Sequence, residues 1–319
     1  LRRGRGLKLR KNRYLILMLA ILLSVALVAT GCGSPKNQAE ETIKIGFLGG
    51  KTGNHAHYGI ETLKGIQMAV EDVNKAGGLL GKKLEIIEGD HGSNSSEAAS
   101  VTQKLITQGV AAIVGDPTTG ITKLAAPICQ ANKVVLMSAG AVGTGVVELG
   151  DYIFRDCLLD AVAAPAVTKY LAEDLKWKKV ALVTTTGLSY SESLTPIFQQ
   201  ALAKYGIEIV TEQNIMEKDT NFSAQVTAMS QKQFDGVVFT GYYNEGALFM
   251  KEMRKQGLNQ VMVGGDGLLG KELYEIGEAA VEGRMVYTGF AVDTNNAVGK
   301  TKELIENYQA KNNNNIPDM

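Results

Sequence analysis

The stretch IKIGFLGGKTGNHAHYGIETLKGIQMAVEDVNKAGG, residues 43–78, changes its hydrophobic period part-way along. IKIGFLG is a short apolar run of the kind found in a strand covered on both faces. A polar, glycine-bearing loop follows. Ile60, Leu63, Ile66, Val70 and Val73 then recur at the spacing of one helix face. Gly77 and Gly78 stop that helix. Strand, loop and helix in this order make the first half of a β-α-β unit, and the rest of the chain tests whether the unit repeats.

It does repeat. KLEIIEGD is the next strand candidate, and SSEAASVTQKLITQG is a helix opened by Ser95 or Ser96 and closed by Gly109. VAAIVG, TKLAAPICQANK and VVLMSAG continue the rhythm. After DYIFRDCLLD the cycle restarts with APAVTKYLAEDLKWKK and VALVTTT. It runs on through ESLTPIFQQALAKYG, IEIVTEQNI, NFSAQVTAMSQKQ, DGVVFTGY, EGALFMKEMRKQG and QVMVGGDG. GRMVYTGFAV reads as a strand leading out, and GKTKELIENYQAKN as one more helix. Alternation of this kind predicts an α/β fold: two lobes in tandem, each a parallel sheet covered by helices on both faces.

The N-terminus is of another kind. LRRGRGLKLRKNR carries seven basic residues and no acid, and YLILMLAILLSVALVAT, residues 14–30, carries no charge. A basic leader, a short apolar stretch and a small-residue exit are the parts of a secretory signal peptide. A membrane span needs ~20 apolar residues, which makes an uncleaved anchor the weaker alternative. Ala29-Thr30-Gly31-Cys32 resembles a bacterial lipobox, with alanine where leucine is more usual. That resemblance implies a lipid on Cys32, a mature chain tethered to the outer face of a membrane, and a flexible leash over GSPKNQAEE.

Cleavage changes the charge balance. The whole chain has 33 basic and 33 acidic residues; a chain beginning at Cys32 keeps 26 basic against 33 acidic, a net of −7. An acidic surface argues against nucleic acid as a partner. Cys129 and Cys157 are the remaining cysteines. They would pair outside the cell or sit as two isolated thiols; buried cysteine behaves as a small apolar residue, which favours the second arrangement. Some 288 residues exceed one ordinary core, in keeping with two lobes.

In open parallel sheets, ligands collect beyond the carboxyl ends of the strands. The loops there read KTGNHAHYG, DPTTG, AVGTG, GLSYSES, YYNEG and DG. They supply hydroxyls, tyrosines, exposed backbone and one acid, Asp266. No loop combines a nucleophile with its base. GLSYS has Ser191 where an esterase elbow needs glycine, and GFLGGKTG has neither dinucleotide nor P-loop spacing. His55 and His57, two apart in a polar loop, are expected at the surface rather than on zinc, and Asp90 and His91 at the rim.

Several of these pieces together resemble the extracytoplasmic substrate-binding proteins of branched-chain amino acid ABC transporters, the leucine/isoleucine/valine-binding family. The resemblance rests on IKIGFLGGKTGNHAHYGIETLKGIQMAVEDVNKAGGLLGKKLEII, LITQGVAAIVGDPTTG, GDYIFR, FDGVVFTGYY and GGDG, and spans nearly everything from Ile43 to Met319. It implies the periplasmic-binding-protein type I fold, two doubly wound lobes joined by a multi-strand hinge with the ligand cleft between them. The expected parts are a signal at 1–31, a tether at 32–42, a first lobe at 43–155, a second at 156–285, and a crossing and return to the first lobe at 286–319. It further implies that such chains continue past PDM, so that this one is C-terminally truncated.

The resemblance also assigns residues. A ligand α-carboxylate falls to Thr119, with Thr118 beside it, and to the loop at Gly140, Ala141 and Val142. Tyr58 lies over the pocket, Tyr190 and Tyr242 line the second lobe, and Asp266 meets the α-ammonium. A zwitterion leaving water needs both charges paired, which suits this set. The family often has threonine where Val142 stands, so Thr144 compensates or the ligand is an amide, urea or aromatic acid instead. The expected function is non-enzymatic: a monomer needing no cofactor binds a small solute, closes about a hinge at Arg155–Cys157 and Tyr287–Phe290, and delivers to an ABC permease. A sensory module and an extracellular hydrolase are the competing readings.

Overall fold

The computed structural model describes residues 41–290 and 292–317. The basic leader, the apolar stretch, Cys32 and the leash expected at residues 1–40 lie outside the described residues.

In the first lobe the order is β1 (Ile43–Gly49), α1 (Ala56–Lys75), β2 (Leu84–Asp90), α2 (Ser95–Thr107), β3 (Ala112–Gly115), α3 (Thr119–Asn132), β4 (Val135–Ser138) and β5 (Ile153–Arg155). These strands form one parallel sheet ordered β2-β1-β3-β4-β5, with Ile45 opposite Ala112 and Ile86. The second lobe follows with α4 (Asp160–Glu173), β6 (Lys179–Thr186), α5 (Ser189–Lys204), β7 (Glu208–Met216), α6 (Ser223–Ser230), β8 (Gly236–Thr240), α7 (Tyr243–Lys255), β9 (Val261–Gly264), α8 (Lys271–Gly277) and β10 (Met285–Val286). Its sheet, ordered β10-β9-β8-β6-β7 and again parallel, repeats the winding of the first. In each lobe the chain winds one way from the first strand and then the other. The crevice at that reversal is where such sheets hold ligands.

The cores follow the period change seen in the sequence. Leu48, Leu105, Ile113 and Leu136 are almost fully buried in the first lobe; Leu182, Phe239, Phe249 and Met262 are fully buried in the second. Local signals differ in two places. Asn94, not Ser95 or Ser96, caps α2: its side-chain oxygen accepts the Ser96 N–H at 3.1 Å. GRMVYTGFAV pairs only over Met285–Val286; Tyr287 N–H still reaches the Gly264 carbonyl at 3.2 Å, and the chain then leaves the sheet. It re-enters the first lobe as α9 (Gly299–Lys311), where the Tyr308 hydroxyl donates to Glu61 and Lys311 pairs with Glu71.

Cys129 and Cys157 are both free thiols, Cys129 buried and Cys157 partly so. Among the described residues no helix is long and apolar enough to cross a membrane, and no group of three or more His, Cys, Asp or Glu side chains is placed to hold a metal ion.

Candidate functional site

A cavity of about 820 Å³ opens between the lobes at the carboxyl ends of both sheets and runs on under α1, past Ile66, Ala69 and Val73 to Ile45 and Leu84, so that the cleft is only part of it. Of the nine site residues named from the sequence, eight line it: Tyr58, Thr118, Thr119, Gly140, Val142, Tyr190, Tyr242 and Asp266. Ala141 is not among the lining. It is fully buried beneath the loop, its N–H donates to the Ser138 hydroxyl at 3.0 Å, and its carbonyl accepts from Arg155 at 2.8 Å. Arg155 also takes the Gly143 carbonyl, so one guanidinium shapes the loop from below.

The first-lobe wall is the start of α3. Thr118, its N-cap residue, makes no side-chain capping bond; its N–H and hydroxyl both donate to Asp116 Oδ1, at 2.6 and 2.5 Å. The first-turn N–H groups of the helix therefore stay directed outward, a partial positive charge suited to an anion. The Thr119 hydroxyl oxygen accepts the Gly143 N–H at 3.3 Å and keeps its own proton to donate.

Asp116 was not singled out from the sequence, yet it organises this wall. Its Oδ2 is 2.7 Å from His91 Nε2, and its carbonyl accepts from Thr122 and Ser138. His91 is thus buried against Asp116 and is not a rim residue. DPTTG held the only available signal, an Asx-type spacing from Asp116 to Thr118.

The second-lobe wall is aromatic. Tyr190 and Tyr242 stack with ring centroids 5.1 Å apart and planes 4° from parallel. Tyr58 meets Tyr242 edge-on at 5.6 Å. Burial raises the phenol pKa of all three well above its usual value, so each stays a protonated donor. Asp266 begins a 3₁₀ turn after β9 and accepts the Tyr190 hydroxyl at 3.3 Å. Burial, and then the charge of Asp160, push its carboxyl up to about 7. A cation brought beside it would reverse that shift.

The lobes touch across the cavity, so this conformation is closed. The Tyr58 hydroxyl donates to the Gly267 carbonyl at 2.6 Å, and the Tyr243 hydroxyl to the Asn54 carbonyl at 2.9 Å. His57 Nδ1 lies 2.8 Å from Glu272, His55 Nε2 3.7 Å from Glu217, and Thr144 N–H donates to the Ser193 hydroxyl at 2.8 Å. His55 and His57, expected at the surface, are buried because the second lobe closes over their loop. The Thr144 hydroxyl sits 3.1 Å from that of Ser193, at the lobe contact, and Thr144 is not part of the cavity wall. It does not replace the hydroxyl that Val142 lacks.

Comparison with known proteins agrees with this architecture. A family model described as periplasmic binding protein matches residues 42–319. Leu/Ile/Val-binding protein homolog 3 of Brucella melitensis is 31% identical over 296 residues, covering 92% of this chain and 78% of that protein. The branched-chain amino acid transporter substrate-binding protein LivJ of Streptococcus pneumoniae, solved with isoleucine, superposes with a TM-score of 0.81 at 35% identity, covering 87% of this chain and 79% of that one. The leucine-binding protein LivK of Thermotoga maritima gives 0.81 at 27% identity, covering 87% and 78%.

Proposed function

This chain belongs to the periplasmic binding protein family, and on that premise we propose that it binds a branched-chain or other hydrophobic amino acid outside the cell and delivers it to an ABC permease. The observation that carries the reading is the placement of opposite electrostatic ends across one cavity. The open start of α3 with the Thr119 hydroxyl lies on one wall, and the Asp266 carboxylate on the other. An α-carboxylate on the first and an α-ammonium on the second leave no charge of a zwitterion unpaired. The side chain is left to the phenol rings and the apolar lining of the cavity, which includes Val142, Leu158 and Phe290.

The names of the relatives support the same ligand class. The lobes at 43–155 and 156–285 turn on the crossings at 155–157 and 287–290, and the ligand stabilises the closed form by bridging them. The permease recognises that form. The role is binding, without chemistry on the solute, and the protein acts as a monomer. A lipid on Cys32, following the signal at residues 1–31, holds the protein at the outer face of the membrane.

Calorimetric titration with leucine, isoleucine and valine tests the reading, with benzoate and a neutral amide as controls. Saturable binding of at least one amino acid, tighter than that of either control, is expected. Tighter binding of benzoate or the amide would overturn the amino-acid assignment and point back to Val142 as the deciding residue.

A further inference from the structure

Asp160 is the first residue of α4, just past the first crossing, and it is fully buried. Its Oδ1 accepts the Tyr287 hydroxyl at 2.7 Å; its Oδ2 is buried and has no hydrogen-bond partner among the described residues. Tyr287 stands at the other crossing. Its hydroxyl lies near that of Tyr190, which donates to Asp266 at 3.3 Å. A Cβ on Gly265 would lie 2.5 Å from the Tyr190 oxygen and 2.7 Å from the Tyr287 oxygen, so the two hydroxyls converge on one bare backbone position. Two buried acids therefore each accept from a phenol, and the two phenol oxygens lie close to one another.

We propose that Asp160 is a positioning residue of the ammonium subsite, and that the chain Asp160–Tyr287–Tyr190–Asp266 holds a proton which leaves when a ligand ammonium pairs with Asp266. The proposal rests on the amino-acid reading above. A hydroxyl chain between two carboxyls has its donors all pointing one way. When Asp160 carries the proton, Tyr287 donates to Tyr190 and Tyr190 to ionised Asp266; when Asp266 carries it, the order reverses. Entry of R–NH₃⁺ leaves the ammonium intact, ionises the acid pair further, and releases the displaced proton to solvent. No other reactant is needed.

The surroundings favour a shared proton. Burial pushes the Asp160 carboxyl up to about 6, while the Tyr287 hydroxyl and then the Arg155 cation hold it down. Asp156 and the Cys157 thiol lie at the same crossing, and Tyr58 and Tyr242 flank Asp266. Burial and then the Asp160 charge outweigh the Tyr190 hydroxyl and the Gly267 N–H, which favour ionised Asp266. Two like charges in one dry site titrate as a pair, not as separate groups.

Two measurements decide the matter. The first needs no ligand: carboxyl carbon NMR of [¹³C]aspartate-labelled protein, titrated with pH. Two coupled carboxyls titrating well above the ordinary aspartate range are expected, and Asp160→Asn should remove one and lower the other. Ordinary midpoints near 4 for both overturn the proposal, whatever the protein binds. The second is calorimetry with leucine in buffers of different ionisation heat. Close to one proton should be released per ligand at pH 6 and almost none above pH 8, with affinity falling about tenfold per pH unit on the acid side. Asp160→Asn should cut the release by at least half and move that limb to lower pH. A residue that is only structural would weaken binding equally at every pH, and that result overturns the assignment. Tyr287→Phe, which breaks the chain and keeps both acids, serves where Asp160→Asn does not fold; an unchanged carboxyl titration in it would also overturn the proposal. Failure of any amino acid to bind the wild type would remove the amino-acid reading, while the NMR titration still judges the acid pair.

Discussion

The Tyr58 hydroxyl and the Gly267 carbonyl, 209 residues apart in sequence and in different lobes, meet at 2.6 Å across the cavity. The bond exists only when the lobes are closed, so its free energy belongs to closure and not to the folding of either lobe. It also connects the aromatic wall to the turn that carries Asp266.

Tyr58→Phe tests that connection. It removes one buried hydrogen bond and leaves the Gly267 carbonyl without its donor, which together cost about 1–3 kcal/mol. Affinity for the ligand should fall roughly 5- to 150-fold, with unchanged unfolding of the separate cores. Calorimetry and thermal melts read the two effects apart. Unaltered affinity would show that closure does not depend on this bond.

Asp266→Asn keeps shape and removes charge. Loss of one partner from a buried ion pair costs ~2–5 kcal/mol, a drop of roughly 30-fold to several thousand-fold for a zwitterion. A neutral amide should lose far less. Because the folded pKa of Asp266 is raised to about 7, its ionisation opposes folding as pH rises from about 4 through 7. The unliganded Asn variant should therefore be more stable than wild type at pH 8 and nearly equal at pH 4. Melting temperatures at both values check the sign.

His55 carries an opposite dependence. Burial lowers its pKa to about 4, against an ordinary 6.5. The unfolded or opened chain thus binds the proton more readily, and stability of the closed form falls as pH drops from 6.5 toward 4, by on the order of 3 kcal/mol in full. Small-angle scattering should show expansion over that window, and His55→Gln should flatten it. Expansion of equal size in the variant would move the cause elsewhere.

Gly265→Ala puts a methyl carbon against the Tyr190 and Tyr287 hydroxyls, at 2.5 and 2.7 Å before relaxation. Overpacking of this kind costs typically ~1–3 kcal/mol. The melting temperature should fall and ligand affinity with it, because Tyr190 must move away from Asp266. Full affinity in the variant would show that the two hydroxyls are free to shift.

Cys32→Ser tests the tether. Cells fed a fatty-acid analogue should label the wild type and not the variant. Equal labelling would remove lipid attachment from the proposal.

Much of this protein is legible from local pattern alone. The period change between Ile43 and Val73 predicts a strand and a helix, and both form. The repetition of that unit predicts two parallel α/β lobes, because strands buried on both faces need helices on both sides. The rule that ligands gather at strand ends brought Tyr58, Thr119, Tyr190, Tyr242 and Asp266 into consideration, and the resemblance gave them roles; all five line one cavity.

What sequence could not reach depends on which lobe faces which residue. His55, His57 and His91 look like polar-loop histidines, and only lobe closure and the fold of the Asp116 loop bury them. Ala141 sits between two cavity residues, but its amide is drawn down to Ser138. Thr144 looks able to stand in for the hydroxyl missing at Val142, yet it is held at the lobe contact by Ser193. Asp160 carries no local signal in DYIFRDCLLD; Tyr287, 127 residues later, is brought to it only by the fold. Periodicity and turn chemistry are properties of neighbours along the chain, so sequence carries them. Burial, pairing and a carboxyl's proton affinity are set by atoms brought together from distant segments, and only the tertiary structure decides those.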